Sequence, residues 1–264
     1  MPAWNGMRLF SFLFSLSDLE FSPMRPIRLM ILPLLLAAVF AHAAGTAPVA
    51  PAVSVVSAAS AAPMTVLRVE HHLASLGADG VQRDARFAER VYRQGDRVWI
   101  ARELPATAAH ADPDHDSPHA GHKHAETDTA PRWIERGAGG VLNVRVVSEA
   151  QQKTYRVEPA EYGNIGFDGS WATAYHLLDP ASLKAMRADG PARGGVQTYR
   201  ARQGEHTVTV DWDIAGQYPR RVESRNASGT QRKLTRVSVL PAPVAAPWVG
   251  AQRYTSADYT DLMD

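Results

Sequence analysis

The sequence predicts a mainly β (α+β) fold, in which a curved antiparallel sheet or an incomplete barrel carries one or two covering helices. Three observations predict it: short runs alternate apolar and polar residues, turn-forming residues separate these runs, and a helical pattern with clear caps occurs only once. The 264 residues are 45% hydrophobic and carry a formal net charge of +1, which is typical of a globular protein with one or two domains.

The first predicted strands lie in the first half of the chain. Residues 65–72 alternate, and residues 86–105 contain two alternating runs around Gln94-Gly95-Asp96, a turn whose glycine can adopt a positive φ. In the first run, alternate residues share one face: Phe87, Glu89, Val91 and Arg93. Because both runs are partly apolar on each face, we expect a sheet with one face on a core and the other face partly covered.

The second half contains six more predicted strands, at residues 141–147, 153–159, 196–202, 206–214, 218–225 and 232–240. Short turns connect the last four strands, which should therefore form an antiparallel meander. Residues 181–190 carry the clear helical pattern, with Asp179 as N-cap and Pro180 at the first helical position. Residues 171–178 fit a short helix or a strand, and their alanine content favours the helix.

The N-terminal region predicts export. Residues 24–43 have the pattern of a signal peptide, with two arginines, an apolar run over residues 29–41 and Ala41-His42-Ala43 at its end. The run is shorter than the roughly 20 residues of a membrane helix, so we expect no membrane span after cleavage. Met24 is favoured as the true start, and residues 1–23 are then an upstream extension due to start-site choice or an unusually long n-region.

The remaining chain divides into three parts. Residues 44–63 form an Ala/Pro-rich linker, residues 64–240 form the β-rich domain, and residues 241–264 form a Pro-rich C-terminal tail. The chain has no cysteine, which excludes disulfides, thiolate nucleophiles and iron–sulfur clusters. Export without disulfides indicates a bacterial periplasm or the cell exterior, so the predicted location is periplasmic or secreted.

Charge and motifs narrow the function classes. The chain has 28 Lys and Arg residues against 27 Asp and Glu residues, with no dominant basic cluster, so nucleic acid is not expected to be the main partner. The sequence shows no nucleophile elbow, HExxH motif, phosphate loop or dinucleotide fingerprint. We therefore predict a non-enzymatic protein.

A histidine-rich loop is predicted at residues 106–128, between the first hairpin and Trp133. Its candidate metal ligands are His110, Asp112, His115, Asp116, His119, His122 and His124. Neutral imidazole binds Cu(II), Zn(II) and Ni(II), and carboxylates supply further ligands or orient the imidazole. The main predicted function is therefore metal binding or metal handling at the cell envelope, with the metal unresolved; the alternative for this segment is a polar, solvated loop without such a role.

Two other histidine positions predict structural roles. His71 and His72 are neighbours on a strand, so their side chains point to opposite faces and cannot easily bind one ion; we interpret them as a surface pair. His176 lies beside Tyr175 in an alanine-rich segment and is interpreted as a packed histidine.

The sequence resembles a known group of proteins in one stretch, DWDIAGQYPRRVESRNASGTQRKLTRV. Pro219, residues 221–224 and Gly229 match the strand, turn and strand pattern of periplasmic proteins similar to the lipoprotein carrier LolA. This resemblance implies a curved, incomplete antiparallel barrel with helices covering its mouth, which binds the acyl chains of lipoproteins.

Two alternative functions follow. Aromatic residues occur in nearly every predicted element, and a concave sheet would gather many of them, which favours a carrier or binder of lipid or another small apolar ligand. The other alternative is an envelope protein that binds a protein partner through the tail at residues 241–264.

Overall fold

The computed structural model describes residues 62–104 and 129–262. In these ranges one open sheet contains twelve strands: β1 (Thr65–Leu76), β2 (Gln82–Gln94), β3 (Arg97–Glu103), β4 (Arg132–Arg136), β5 (Leu142–Ser148), β6 (Lys153–Val157), β7 (Arg187–Ala188), β8 (Val196–Gln203), β9 (His206–Asp213), β10 (Tyr218–Asn226), β11 (Gln231–Leu240) and β12 (Thr255–Asp258). The mainly β prediction is confirmed.

Two antiparallel meanders build this sheet. Strands β1 to β6 are neighbours in sequence order, as are β7 to β11, and β1 joins the two sets by pairing with β11. The predicted meander of the last four strands is confirmed. The predicted hairpin turn is also confirmed, because Gly95 connects β2 and β3 with a φ of +55°, a conformation that glycine adopts without steric cost.

The sheet has an inner face and an outer face, which we define by their buried side chains. Leu67, Ile134 and Val210 mark the inner face, whereas Trp99 and Trp133 mark the outer face. All five side chains are less than 5% exposed. The strands therefore bury apolar side chains on both faces, as the partly apolar arms of the hairpin predict.

Residues 159–186, which we call the cover segment, lie on the inner face. They contain a 3-10 turn (Pro159–Ile165), helix α1 (Trp171–His176) and a second 3-10 turn (Pro180–Ala185). The helix favoured for residues 171–178 is thus confirmed.

The longer helix predicted at residues 181–190 is wrong in type and length. Asp179 does cap its start by accepting a hydrogen bond from the backbone N–H of Ala181, but the 3-10 turn ends at Ala185. Strand β7 follows at once and pairs with β8. Pairing at the sheet edge therefore overrides the helical preference of this segment.

The C-terminal residues wrap round the edge of the sheet formed by β6. Helix α2 (Pro247–Ala251) places Trp248 against Trp99 and Trp133 on the outer face. Strand β12 then pairs with β6 in the parallel direction, and Tyr259 packs into the inner-face core. The sequence left open whether this tail docks on the sheet; the described residues show that it packs against both faces.

Several predicted segments lie outside the described residues. They are the upstream extension (1–23), the signal peptide (24–43), nearly all of the linker (44–63) and the histidine-rich loop (106–128). Within residues 62–104 and 129–262, no helix has the length and apolarity needed to cross a membrane.

Candidate ligand-binding site

The predicted metal ligands cannot be placed in this fold. His110, Asp112, His115, Asp116, His119, His122 and His124 all lie outside the described residues. Their role in binding Cu(II), Zn(II) or Ni(II) remains a prediction. In the part of the chain that the structure describes, no group of three or more His, Asp or Glu side chains is arranged to hold a metal ion.

The cover segment closes an apolar surface. On one half of the inner face, Phe167 and Ala174 pack on the aliphatic side chains of β1 to β5. On the other half, Leu178 and Leu183 pack on Val210 and its neighbours in β9 and β10. The inner face and the cover segment thus enclose two apolar clusters.

Arg93 is the first of two arginines that hold the cover segment. Its side chain is 4% exposed and donates hydrogen bonds to the carbonyl oxygens of Tyr175 (2.7 Å), Gln217 (3.3 Å) and Gly216. The guanidinium lies 5.0 Å from the ring centroid of Tyr175. Burial lowers the pKa of Arg93, so the three carbonyls and the ring are what stabilise its charge here.

Arg132 is the second. Its Nη1 donates to the carbonyl oxygen of Ile165 in the cover segment at 3.1 Å, and its Nη2 donates to Glu89 Oε1 at 3.0 Å. Both side chains of this ion pair are at most 16% exposed. Arg132 therefore ties the cover segment to a buried carboxylate on β2.

A polar cluster surrounds Glu89 on the inner face. His71 is 6% exposed; its Nε2 lies 3.5 Å from Glu89 Oε2, and its Nδ1 lies 3.2 Å from Thr235 Oγ1. Burial alone would raise the pKa of Glu89, but the hydrogen bond from His71 and the nearby positive charge of Arg132 lower it below its ordinary value. Glu89 therefore stays ionised at neutral pH.

Two half-buried cations flank this cluster. The Arg102 guanidinium lies 4.4 Å from the ring centroid of Phe87, which itself stacks on His71 with centroids 4.6 Å apart. Lys233 lies opposite Leu73 on the inner face, and burial lowers its pKa to about 8. The positive charge of Arg102 also helps to lower the pKa of Glu89.

The backbone of the cover segment is strained at one residue. Leu177 ends helix α1 with a φ of +65°. A bulky residue in this left-handed region costs on the order of 1 kcal/mol, and such residues are concentrated at ligand clamps and switch regions. The packing of Leu177 against the inner-face core holds this conformation in place.

The outer face carries a groove of about 500 Å³. Among its lining residues are Arg68, Glu70, His72 and Glu103. Arg68 Nε donates to Glu103 at 2.9 Å and also pairs with Glu70, while His72 lies 2.5 Å from Asp84. Because these charges already neutralise each other, the groove is a weaker candidate than the inner face.

The predicted alternation of residues along the strands explains why the inner-face residues lie together. Glu89 and Arg93 share a face with Val91, as predicted. His71 and His72 point to opposite faces, as predicted, but the interpretation of both as surface residues is wrong for His71. Strands β2 and β11 flank it on either side, and Phe87 covers its ring.

The sequence interpretation missed the roles of Glu89, Arg102 and Arg132. The available signal was their position on the strands. Glu89 lies two residues before the buried Val91 and Arg102 lies two residues after the buried Ile100, so each shares a face of the sheet with a core residue. A charged residue in phase with core residues needs a buried partner. Arg132 lies 43 positions from Glu89, so the strand order was needed to identify that partner.

The solved structures that this chain matches have low sequence identity to it and low TM-scores. A domain described as an outer-membrane lipoprotein-sorting protein from Vibrio parahaemolyticus is 10% identical, with a TM-score of 0.32, over 72% of this chain and 89% of that chain. A LolA superfamily protein from Nitrosomonas europaea is 8% identical, with a TM-score of 0.30, over 69% and 87%. MucB from Pseudomonas aeruginosa, in complex with MucA, is 12% identical, with a TM-score of 0.31, over 70% and 55%.

Two of these matched structures are thus described as a LolA superfamily protein and an outer-membrane lipoprotein-sorting domain. No protein-family profile and no curated protein matches the sequence.

Proposed function

We propose that this protein is an envelope carrier that binds an apolar ligand on the inner face of its sheet, beneath the cover segment. The observation that carries the proposal is that this apolar surface is closed by a separate segment of the chain. Aliphatic side chains of strands from both meanders form two apolar clusters on the inner face, and one segment of short helices and turns packs on both of them. An apolar ligand can replace the cover segment on such a surface, because either one keeps the apolar side chains of the sheet away from water.

The cover segment has little structure of its own to hold it closed. Helix α1 has six residues and both 3-10 turns are short, and isolated helices of this length are unstable in water. Its position therefore depends on packing and on the hydrogen bonds from Arg93 and Arg132. Lifting it would also release the strained backbone at Leu177.

The rim of the cover segment supports the same function. Trp171 and Tyr175 pack on the core but remain half-exposed, with their ring centroids 5.3 Å apart. Amphipathic aromatic side chains at a rim suit a boundary between an apolar ligand and water. A periplasmic location, proposed on the signal-peptide pattern of residues 24–43, would give such a carrier access to envelope lipids.

The test is titration of the purified protein with N-phenyl-1-naphthylamine, a neutral apolar probe that fluoresces when it leaves water. We expect saturable binding in the micromolar range. Arg132→Gln weakens the attachment of the cover segment, so more molecules are open and the apparent Kd should fall by about fivefold. Arg97→Gln is the matched control, since Arg97 forms an exposed ion pair with Glu135 on the outer face.

The proposal would be contradicted by an absence of saturable binding. It would also be contradicted if Arg132→Gln and Arg97→Gln gave the same Kd as the unchanged protein, because binding would then not involve the cover segment.

Metal handling is the second candidate function, on the density of histidines in the sequence. Five of the ten histidines lie within 15 residues, from His110 to His124. Calorimetric titration of the untagged protein with Cu(II), Zn(II) and Ni(II) should show binding of about one or two ions at micromolar affinity or tighter. A variant lacking residues 106–128 should lose that binding. Equal heats in both proteins would exclude this function.

A further inference from the structure

The outer face of strands β8 to β11 is rich in arginine. Val208, Val210 and Val222 lie on the inner face, so the residues that alternate with them lie on the outer face. Six of these residues are arginines, which we call the arginine face: Arg200, Arg202, Arg221, Arg225, Arg232 and Arg236. Five of the six are exposed and one is half-buried. Helix α2 covers the outer face at Trp99 and Trp133 on the other meander, whereas the arginine face lies open to water.

Two pairs of these arginines lie directly opposite each other across β10 and β11. The register pairs Arg225 with Arg232 and Arg221 with Arg236. Like charges directly opposite each other destabilise a sheet, so the fold itself gains nothing from these pairs. An anion placed between two such arginines would replace the repulsion with charge-assisted hydrogen bonds.

Carboxylates balance only part of this positive charge. In the described residues, three carboxylates form ion pairs with the arginine face: Asp189, Asp211 and Glu223. Even with Glu205 of the β8–β9 turn added, six arginines face four carboxylates. The adjoining outer face of β1 to β3 does not supply the missing charge, because its three carboxylates pair with three arginines of the same strands.

Two members of the arginine face have no ion pair of their own. Within residues 62–104 and 129–262, Arg225 and Arg236 form neither a hydrogen bond nor an ion pair. The charge of Arg225 helps to lower the pKa of Glu223, but that carboxylate already binds two other arginines. Glu70 lies opposite Arg236 on β1 and pairs with Arg68 instead. Both guanidinium groups are therefore available to an external anion.

We propose that the arginine face binds the anionic head groups of a lipid membrane. This face lies on the opposite side of the sheet from the proposed ligand site, so the two binding functions are independent. Arginine suits the role because its planar guanidinium binds phosphate oxygens through two parallel hydrogen bonds. Each basic residue near an anionic membrane strengthens binding about fivefold.

The composition of the face favours a membrane over a protein partner. The centre of a protein interface is usually apolar and aromatic. The arginine face instead shares its surface with Thr198, Thr207 and Thr209, and Leu234 on the same face is only 3% exposed. Four neighbouring strands spread the arginines over about 15 Å, so several head groups can bind at once. The predicted export of the chain favours membrane lipids over nucleic acid as the source of the phosphates.

The experiment measures sedimentation of the purified protein with lipid vesicles at pH 7 and low ionic strength. Phosphatidylcholine vesicles with about one quarter phosphatidylglycerol present an anionic surface. Pure phosphatidylcholine vesicles control for binding through apolar segments of the chain. We expect about twentyfold tighter binding to the anionic vesicles, and we expect this preference to disappear at about 1 M salt.

Variants localise the binding surface. The double variant Arg225→Gln/Arg236→Gln should bind anionic vesicles about twentyfold more weakly. Its midpoint of urea denaturation should be unchanged or higher, because each substitution also separates a pair of opposed arginines. Arg97→Gln/Arg156→Gln is the matched control: it removes the same charge from the outer face of the other meander, where both arginines form exposed ion pairs. The control should bind within about twofold of the unchanged protein.

Four results would overturn the proposal. They are equal binding to anionic and zwitterionic vesicles, and equal losses in the double variant and its control. Stronger displacement by inorganic phosphate than by sodium chloride of the same ionic strength would indicate a discrete phosphate site instead of a membrane surface. Tighter binding to a DNA duplex than to anionic vesicles would assign the face to nucleic acid. Each of these results leaves the binding of N-phenyl-1-naphthylamine, and with it the carrier function, as a separate question.

Discussion

Replacing Arg93 with methionine is expected to lower the free energy of unfolding by about 3 kcal/mol. Methionine fills a similar volume but leaves the carbonyl oxygens of Tyr175, Gly216 and Gln217 without the donor that they share. It also removes the cation from the rings of Tyr175 and Tyr218. Urea denaturation followed by far-UV circular dichroism would measure the loss.

The control for Arg93 is Arg97→Met on the neighbouring strand, where an exposed ion pair with Glu135 is lost. Such pairs contribute at most about 1 kcal/mol. Arg93→Lys should give an intermediate result, because one ammonium group cannot reach all three carbonyls. A loss below 1 kcal/mol for Arg93→Met would contradict the view that this side chain holds the cover segment in place.

Trp248→Ala is expected to cost about 4 kcal/mol, the largest effect that we predict for a single substitution. Trp248 is 1% exposed and packs on Trp99 and Trp133. Its removal would leave a cavity and detach helix α2 from the outer face. Chemical denaturation would measure the stability, and the blue-shifted fluorescence of the remaining buried tryptophans should move towards longer wavelengths.

Val249→Ala provides the comparison within the same helix. Val249 is 45% exposed, so the change should stay within about 0.5 kcal/mol. If both substitutions had the same small effect, the tail would contribute little to the stability of the domain. An equally large effect of Val249→Ala would contradict the assignment of the loss to the outer-face contact of Trp248, because alanine forms helices better than valine does and Val249 is exposed.

The strands could be predicted because their alternation is local. Phe87, Glu89 and Val91 follow one another at a period of two, and the faces assigned from that period are those observed. Strand β12, by contrast, consists of Thr255–Asp258, four residues with no apolar alternation. Its pairing with β6 depends on the docking of Trp248 and Tyr259 on either side of it, which no local pattern shows.

The candidate site was predictable only in part for the same reason. The phase of Glu89 placed it with core residues, but its stabilising partners come from β1 and β4. Asp179 and Pro180 predicted where the second turn of the cover segment begins, but its end depends on where β7 pairs with β8. The capping residues determine where such a segment begins, whereas strand pairing in the sheet determines where it ends.

Several buried contacts of the sheet join residues that lie far apart in the sequence, which determines when the sheet can finish packing. Strand β1 needs β11, and His71 needs Thr235, which lies 164 positions later. Trp248 covers Trp99 and Trp133 on the outer face, and Tyr259 packs into the inner-face core. While the chain is still being synthesised, its N-terminal meander therefore exposes apolar side chains on both faces. The packing of this meander is completed only after residues 231–262 have been synthesised.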